Sequence, residues 1–221
     1  ITLEEAAKIA YSAASPTFAD FDLQAEARAV DGPIDNGYGL VFRLSIPRGD
    51  CDLPAVLLCD LASASPLLGL PLRLAFSSEP QQAKAYYFFV SSDGYYTVWL
   101  REGEQGESRR LSTWIPSDAV RQGLDATNTL RVVARADRFQ FFINGQQVPL
   151  CIPDDPTSES TYFGGECLDG QMVDTLVDST IAAGQIGMAA TSTLSGGGGV
   201  QVEFDNVIIT SPQPLAEGDQ A

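Results

Sequence analysis

The sequence predicts an all-β fold: a two-sheet antiparallel β-sandwich, or jelly roll. Its most informative stretch is 86–100, where two runs rich in aromatic and β-branched residues flank Asp93-Gly94, a turn typical of β-hairpins. Residues 21–30 alternate apolar and polar side chains, which is the period of a half-exposed strand. Further strands, with turn residues between them, are predicted at 38–44, 129–134, 138–143, 184–191 and 200–210. Short strands at this spacing indicate a sandwich.

Two segments flank the predicted sandwich, which spans residues 16–210. The apolar side chains of 1–15 fall roughly on one face of a helix, with Thr2 as its N-cap and Pro16 as its end. Residues 211–221 offer little to bury and predict a flexible tail. The sequence starts without an initiator Met or a signal peptide, which predicts a mature, processed or truncated product.

Two stretches interrupt the strand pattern and are predicted to be insertions. Residues 45–85 carry five prolines among apolar runs at 53–61 and 67–76. Residues 149–183 carry three prolines and a group of acidic side chains. We therefore expect both stretches to be irregular.

Each insertion contains two of the four cysteines. An internal crosslink lowers the entropic cost of ordering a long irregular segment. Of the three possible connectivities we favour the local one, Cys51–Cys59 with Cys151–Cys167. Two disulfides predict an oxidising compartment, meaning an extracellular, cell-surface or periplasmic location.

Composition excludes several classes of function. The formal net charge is −16, from 29 acidic and 13 basic residues, which disfavours nucleic acid and anionic membrane surfaces as partners. The sequence has no apolar run of about 18 residues, so we expect no membrane insertion by this chain. It has no histidine, which excludes Ser-His-Asp and Cys-His catalysis.

Several short motifs occur in an order that is typical of one superfamily. They are the aromatic hairpin and residues 36–43, 128–132, 142–145, 184–187 and 204–207. Together they resemble the concanavalin A-like lectin/glucanase superfamily, in particular bacterial envelope domains related to laminin-G and to the 3-keto-disaccharide hydrolases. The resemblance covers about residues 18–210. It implies a jelly roll with one concave face, and it leaves function open because this fold hosts lectins, glycosidases and adhesion modules.

The glycosidase alternative has one pair of candidate residues. Enzymes of this superfamily that cut β-glucans carry Glu-x-Asp-x-x-Glu on one strand, and retaining hydrolysis needs two carboxyl groups about 5 Å apart. That motif is absent from the sequence. Glu203 and Asp205 would share a face of one strand, but they belong to a Phe-Asp-Asn-Val motif that is structural in the resembling domains. We therefore expect no enzyme.

Calcium is the only cofactor that the sequence suggests. Asp31, Asp35 and Asn36 lie in one predicted turn, and five aspartates occur between 154 and 178. Calcium takes six to eight oxygen ligands, which Asp-rich loops supply. No known ligand spacing is matched, so a solvated acidic rim is the alternative and no metal ligand is assigned.

A ligand-binding face is predicted from strand alternation. Tyr95 and Trp99 share one face of their strand, and Arg43 and Arg131 are placed with them on the concave sheet. Aromatic rings beside arginines suit sugar rings, although large aromatics also build cores. The alternative is that Trp99 and Tyr95 pack beneath the insertions.

A protein-binding surface is predicted in the first insertion, whose leucines are too apolar for an ordinary solvated loop. The alternative is that these apolar stretches fold back over a sheet of the same chain. The candidates are Leu57, Leu58, Leu67, Leu68 and Leu70. The sequence thus favours a non-catalytic, extracytoplasmic module that binds protein as an accessory or structural subunit of a bacterial envelope assembly. A lectin-like carbohydrate-binding module is the first alternative, and a glycoside hydrolase-like enzyme is the second.

Overall fold

Two antiparallel sheets face each other in the structure. The computed structural model describes residues 1–4, 9–45, 83–102, 107–192 and 199–212. The strands of that part of the chain are β1 (Thr2–Leu3), β2 (Ile9–Phe18), β3 (Phe21–Asp31), β4 (Gly37–Ser45), β5 (Lys84–Ser91), β6 (Tyr95–Glu102), β7 (Glu107–Pro116), β8 (Asn128–Arg135), β9 (Arg138–Ile143), β10 (Gln146–Gln147), β11 (Leu150–Pro153), β12 (Thr161–Phe163), β13 (Glu166–Leu168), β14 (Gly170–Val173), β15 (Leu176–Val177), β16 (Gly184–Thr191) and β17 (Val200–Thr210).

The described strands sort into two large sheets and two small ribbons. The seven-stranded sheet has the order β1-β17-β3-β8-β9-β10, with β15 also on β9. The six-stranded sheet has the order β2-β16-β4-β5-β6-β7. The ribbons are β11-β14 and β12-β13. This confirms the predicted two-sheet antiparallel sandwich, and no helix long and apolar enough to cross a membrane occurs among the described residues.

Strand alternation builds the core between the sheets. The inward residues of β3 are Phe21, Leu23 and a run of alanines, all buried, while the residues between them are half-exposed. Small alanines on this strand leave room for aromatic rings from the facing sheet. Phe42 stacks on Tyr86 at 5.3 Å and contacts Phe139 of the opposite sheet at 5.5 Å. The apolar side chains thus join the two layers.

The predicted hairpin is confirmed at β5-β6. The strands pair from Val90 opposite Tyr96 to Ala85 opposite Arg101. Gly94 occupies the turn with a φ of 99°, a conformation that glycine adopts at low cost. Its amide donates to the Ser91 carbonyl at 3.1 Å, which closes the turn.

The N-terminal helix predicted over 1–15 is wrong. Thr2–Leu3 pairs with β17, and Ile9–Phe18 pairs with β16 as a strand at the edge of the six-stranded sheet. The register shifts between Gln185 and Gly187, where residues 14–16 of β2 lie opposite the single residue Ile186 of β16. Pro16 lies in this irregular part of the strand and therefore does not end a helix. Pairing with a neighbouring strand outweighed the helical spacing of the apolar residues.

The second insertion contains short strands, where the sequence predicted irregular chain. Cys151 on β11 and Cys167 on β13 form a disulfide, which confirms this half of the predicted connectivity. A disulfide fits an oxidising compartment. Residues 46–82, which include Cys51, Cys59 and the five leucines predicted to bind a partner, lie outside the described residues, as do residues 213–221 of the predicted tail.

Candidate functional site

The four residues predicted to share a ligand-binding face lie in three different places. Tyr95 and Trp99 lie on the outer face of the six-stranded sheet, as their alternation predicted. Arg43 is buried at 1% exposure, between the sheets. Arg131 lies on the outer face of the seven-stranded sheet, on the far side of the molecule. The prediction that all four line one face is therefore wrong.

A β-bulge turns Arg43 inward. Its φ is 50°, and the register of β4 against β5 shifts between Phe42 and Ser45. The guanidinium donates to the carbonyls of Ile181 at 2.6 Å, Ala19 at 2.9 Å and Ala136, and it lies 4.6 Å from the centre of the Phe139 ring. Burial lowers the pKa of Arg43, although nearby acidic groups oppose this shift. Arg43 thus joins loops at one end of the core and is out of reach of a surface ligand.

Arg131 is held by neighbours on its own sheet. It donates to both carboxylate oxygens of Asp22, at 2.7 and 2.5 Å, and lies 5.0 Å from the centre of the Phe142 ring. The hydrogen bond to Asp22 raises the pKa of Arg131. Two of its guanidinium nitrogens are engaged by Asp22, and its planar group lies over Phe142.

The outer face of the six-stranded sheet is aromatic. Trp99 meets Phe89 edge to face at 5.5 Å and Trp114 at 6.3 Å, and it pairs across the strands with Tyr87. We name this surface the aromatic face; it comprises Val41, Tyr87, Phe89, Trp99 and Trp114. Phe89 and Tyr87 are fully buried, whereas both tryptophans remain partly exposed and Tyr95 is 37% exposed.

A glycine on β4 leaves space for Trp114. A Cβ on Gly37 would lie 3.1 Å from the Trp114 ring. Glycine at this position therefore permits a large ring to lie over this part of the sheet.

A hydrogen-bond chain fixes the orientation of Trp99. The Thr97 hydroxyl donates to the Ser112 carbonyl at 2.6 Å, which leaves its oxygen free to accept from the Trp99 indole N–H at 2.9 Å. The Ser112 hydroxyl in turn accepts from the Cys151 amide at 3.1 Å. The disulfide-bearing ribbon is thus connected to the aromatic face through buried polar groups.

Two buried polar atoms on the aromatic side of the sheet lack a hydrogen-bond partner in the described structure. They are the Tyr87 hydroxyl and the Nε of Arg101. Burial raises the pKa of Tyr87, and Arg101 opposes that shift by its charge and by side-chain hydrogen bonding, so the two groups lie near each other even though neither atom makes a hydrogen bond of standard geometry. Leaving such groups unpaired costs about 1–3 kcal/mol each, so buried polar atoms in proteins usually have a partner. The Tyr87 hydroxyl, which can donate or accept, and the Arg101 Nε, which can only donate, therefore keep hydrogen-bonding capacity beside Trp99.

A concavity of about 580 Å³ is lined from both sheets. Ser12 and Met188 of the six-stranded sheet line it together with the charged residues Glu26, Arg28, Glu203 and Asp205 of the seven-stranded sheet. Arg28 donates to Glu203 at 3.0 and 2.6 Å, and this hydrogen bond raises the pKa of Arg28. Glu203 is therefore engaged by Arg28, and the Glu-x-Asp-x-x-Glu arrangement of the β-glucan-cleaving enzymes is absent from the sequence.

The aspartates considered for calcium serve the turns that contain them. Asp155 accepts from the Thr157 amide at 2.8 Å and its hydroxyl at 2.7 Å, and these bonds lower the pKa of Asp155. Asp178 accepts from Tyr86 and from the Thr180 amide, and Asp31 accepts from the Gly32 amide. In the ranges that the structure describes, no three Asp, Glu or Cys side chains group as metal ligands.

Sequence reasoning missed Tyr87, Arg101 and Trp114. Tyr87 stands in a near-continuous apolar run, so its outward direction was hidden among inward neighbours. The pairing of β5 with β6 would have identified Tyr87 as outward-facing, because Tyr87 lies opposite Trp99 and Ala85 lies opposite Arg101. Trp114 follows register shifts in β7 against β6, which strand alternation does not predict.

Comparisons with known proteins show the fold. No protein-family profile matches the chain, and no curated protein matches its sequence. Among solved structures, the carbohydrate-binding module CBM66 from Bacillus subtilis matches with a TM-score of 0.52 and 12% identity, covering 95% of this chain and 86% of that one. A Bacillus subtilis protein with a galectin-like fold matches with 0.45 and 12%, covering 94% and 79%. An alginate lyase of polysaccharide lyase family 7 matches with 0.39 and 11%, covering 95% and 62%.

The likeness to CBM66 supports the two-sheet jelly-roll fold that the sequence resemblance implied. One fold can host many unrelated functions, so the likeness to CBM66 leaves the function of this chain open.

Proposed function

We propose that the chain is a non-catalytic glycan-binding module whose ligand lies on the aromatic face. The observation that carries this proposal is the partly exposed Trp99, whose indole is oriented by Thr97 and lies beside the buried polar groups of Tyr87 and Arg101 that make no hydrogen bond of standard geometry. We thereby prefer the carbohydrate-binding alternative to protein binding, which the sequence had favoured.

Sugar chemistry suits these three residues. A pyranose has an apolar face that packs on an aromatic ring and a rim of hydroxyls that donate and accept hydrogen bonds. The Trp99 ring offers the apolar surface, and its edge is held by Thr97. The Tyr87 hydroxyl can donate or accept, whereas the Arg101 Nε can only donate. A sugar hydroxyl that reached these atoms would remove their desolvation cost.

The proposed module acts outside the cytoplasm as an accessory or structural subunit of a bacterial cell-envelope assembly. The Cys151–Cys167 disulfide supports an oxidising location. The net charge of −16 disfavours nucleic acid as the ligand and favours neutral over acidic polysaccharides. A protein partner at Leu57, Leu58, Leu67, Leu68 and Leu70 remains a prediction.

Binding to immobilised polysaccharides tests the proposal. The probes are cellulose, xylan, mannan, laminarin, chitin and alginate, and the expected result is retention on at least one neutral polymer. Tyr87→Phe and Arg101→Met each remove one unsatisfied polar atom and should weaken that binding. Trp99→Ala should weaken it about tenfold or more, as truncation of a central aromatic anchor does.

The control lies on the opposite side of the sandwich. Arg131→Met alters an arginine of comparable exposure and should leave retention unchanged. Because Trp99 contacts Phe89 and Trp114, each variant is compared well below its melting temperature and its fold is verified by near-UV circular dichroism. Equal retention of Trp99→Ala and the parent would refute the site. If the parent chain releases reducing sugar and Glu203→Gln abolishes that release, the chain is a hydrolase and not a non-catalytic binding module.

A further inference from the structure

The β12-β13 ribbon has one packed face and one bare face. Tyr162 pairs with Cys167, and both pack against the main core. The flanking pairs, Thr161 with Leu168 and Phe163 with Glu166, point the other way because alternate residues of a strand face opposite sides. All four of these residues are exposed. We name this surface the outer ribbon face.

Phe163 is the most exposed large apolar side chain in the described structure, at 76%. The turn beside it is Gly164-Gly165, with φ values of 64° and 92°, and no heavy atom lies within 4 Å of where a Cβ on either glycine would stand. Leu168, at 39%, lies on the same face. Such exposure brings the monomer no packing energy, and clustered exposed apolar side chains mark interaction sites.

The ribbon holds this face rigidly. The disulfide joins β13 to Cys151 of β11, which is fully buried. The Cys151 carbonyl accepts from the Ser160 hydroxyl at 2.6 Å, and the same Ser160 oxygen accepts from the Thr113 amide at 3.0 Å. A surface fixed to the core in this way loses little conformational entropy when it binds a partner.

The chain segment that contains the ribbon is rich in acidic side chains. Residues 149–183 include seven carboxylates and no lysine or arginine. Two arginines reach the region from β7: Arg109 donates to the Pro156 carbonyl at 2.8 Å, and Arg110 pairs with Glu159 at 3.5 Å. Asp155 and Asp178 are engaged by Thr157 and Tyr86. Glu166, directly opposite Phe163, has no ion-pair partner within the described ranges.

The geometry points to Phe163 and Glu166 as a receptor for a lysine or arginine side chain of a protein partner. Side chains directly opposite each other on paired strands lie about 4.5–5.5 Å apart at Cβ. A cation laid over the Phe163 ring therefore reaches the Glu166 carboxylate, and Leu168 offers an apolar contact to the residue beside that cation. The partner is a protein segment in which a basic residue neighbours an apolar one.

An aromatic ring, a carboxylate and a cation occur together elsewhere in the molecule. Arg131 lies over the Phe142 ring, its direct cross-strand neighbour, and pairs with the Asp22 carboxylate. The outer ribbon face presents the ring and the carboxylate without the cation. This interface is separate from the proposed glycan site, and neither proposal depends on the other.

Binding of labelled peptides to the full, disulfide-intact chain tests the inference. The probes are 12-residue peptides that alternate Arg with Leu, Arg with Ser, or Glu with Leu, followed by fluorescence anisotropy. The Arg-Leu peptide should bind tightest and the Glu-Leu peptide should not bind. Phe163→Ala should weaken Arg-Leu binding about fivefold, the value of an exposed cation–π contact, without lowering the melting temperature. Glu166→Gln should weaken it about threefold.

The matched control is Glu159→Gln, which removes the same charge from the same ribbon region at a residue already paired with Arg110. It should leave the affinity for the Arg-Leu peptide unchanged. Equal affinity of Phe163→Ala and the parent would overturn the inference in favour of diffuse attraction to an acidic chain, and so would absence of binding. Chitosan oligomers that bind with the same dependence on Phe163 would overturn the assignment of a protein partner.

Discussion

The two outer faces of the sandwich satisfy their polar groups differently. On the face of the seven-stranded sheet, Arg28 pairs with Glu203, Arg131 pairs with Asp22, and Glu26 accepts from Asn206 at 2.8 Å. On the aromatic face, Tyr87 and Arg101 each keep a buried polar atom without a partner in the described structure.

This difference distinguishes polar groups that are already paired in the folded chain from polar groups that a ligand could pair. Charged cross-strand pairs at a solvated surface make a sheet soluble and contribute little free energy. A buried unsatisfied hydroxyl opposes folding. The Nε of Arg43, inside the core, is also unsatisfied, so what distinguishes Tyr87 and Arg101 is their position beside the partly exposed Trp99. The aromatic face is therefore where substitution should separate stability from binding.

The largest expected effect is alkaline loss of stability centred on the six-stranded sheet. Six of the seven tyrosines lie in its strands, and the pKa values of Tyr38, Tyr86, Tyr87 and Tyr96 are raised, mainly by burial. A raised folded-state pKa gives stability that is intact below the unfolded value and is lost above it. Above about pH 10, each such tyrosine should lower the free energy of unfolding by about 1.4 kcal/mol per pH unit.

Urea titrations at pH 8, 9.5, 10.5 and 11 measure this loss. Tyrosinate absorbance from the buried rings should appear together with the loss of near-UV circular dichroism, because these rings ionise only when the sheet opens. In Tyr86→Phe the absorbance step should shrink by one chromophore. Complete tyrosine ionisation near pH 10 in a chain that keeps its near-UV spectrum would contradict the burial of these hydroxyls.

The next effect comes from two adjacent tyrosines that face opposite ways. Tyr86 points into the core and donates to Asp178 at 2.5 Å, while accepting from the Ile181 amide at 3.3 Å. Tyr86→Phe should therefore destabilise the chain by about 1–3 kcal/mol, since it leaves buried partners unpaired. Tyr87→Phe removes a hydroxyl that has no partner and should leave stability unchanged or raise it by up to about 1 kcal/mol.

Chemical denaturation of the two variants at pH 7 makes this comparison under one set of conditions. The variants delete the same atom from neighbouring residues, so each serves as the control of the other. If Tyr87→Phe costs as much as Tyr86→Phe, the Tyr87 hydroxyl has a partner in solution and the main argument for the glycan site is lost.

Alternation of side chains was enough to predict the layers. The period-two pattern of residues 21–30 and the aromatic hairpin place β3, β5 and β6 correctly, because each of these strands has a buried face that selects apolar residues. It also placed Tyr95 and Trp99 on one face. The fold follows from this pattern, since burial of apolar area dominates the choice of register.

Bulges and edge strands could not be predicted in the same way. Arg43 was assigned outward by counting along β4, but one extra residue at φ 50° reversed its direction. Strand β2 has an alanine-rich sequence whose spacing also suits a helix, and only its pairing with β16 decides its structure. In both cases the deciding contact lies far away in sequence.

The smallest expected effect is on the charged face. Arg131→Met should lower the free energy of unfolding by less than about 1 kcal/mol, because its ion pair with Asp22 is partly exposed and screened by water and salt. A double-mutant cycle with Asp22→Asn, run in low and in high salt, measures the coupling. It should shrink as salt is added, while retention on polysaccharide stays constant in every variant. A coupling energy of several kcal/mol that salt does not reduce would mean that the Arg131–Asp22 pair behaves as a buried ion pair. The contrast between the two faces would then no longer distinguish residues that serve folding from residues that serve binding.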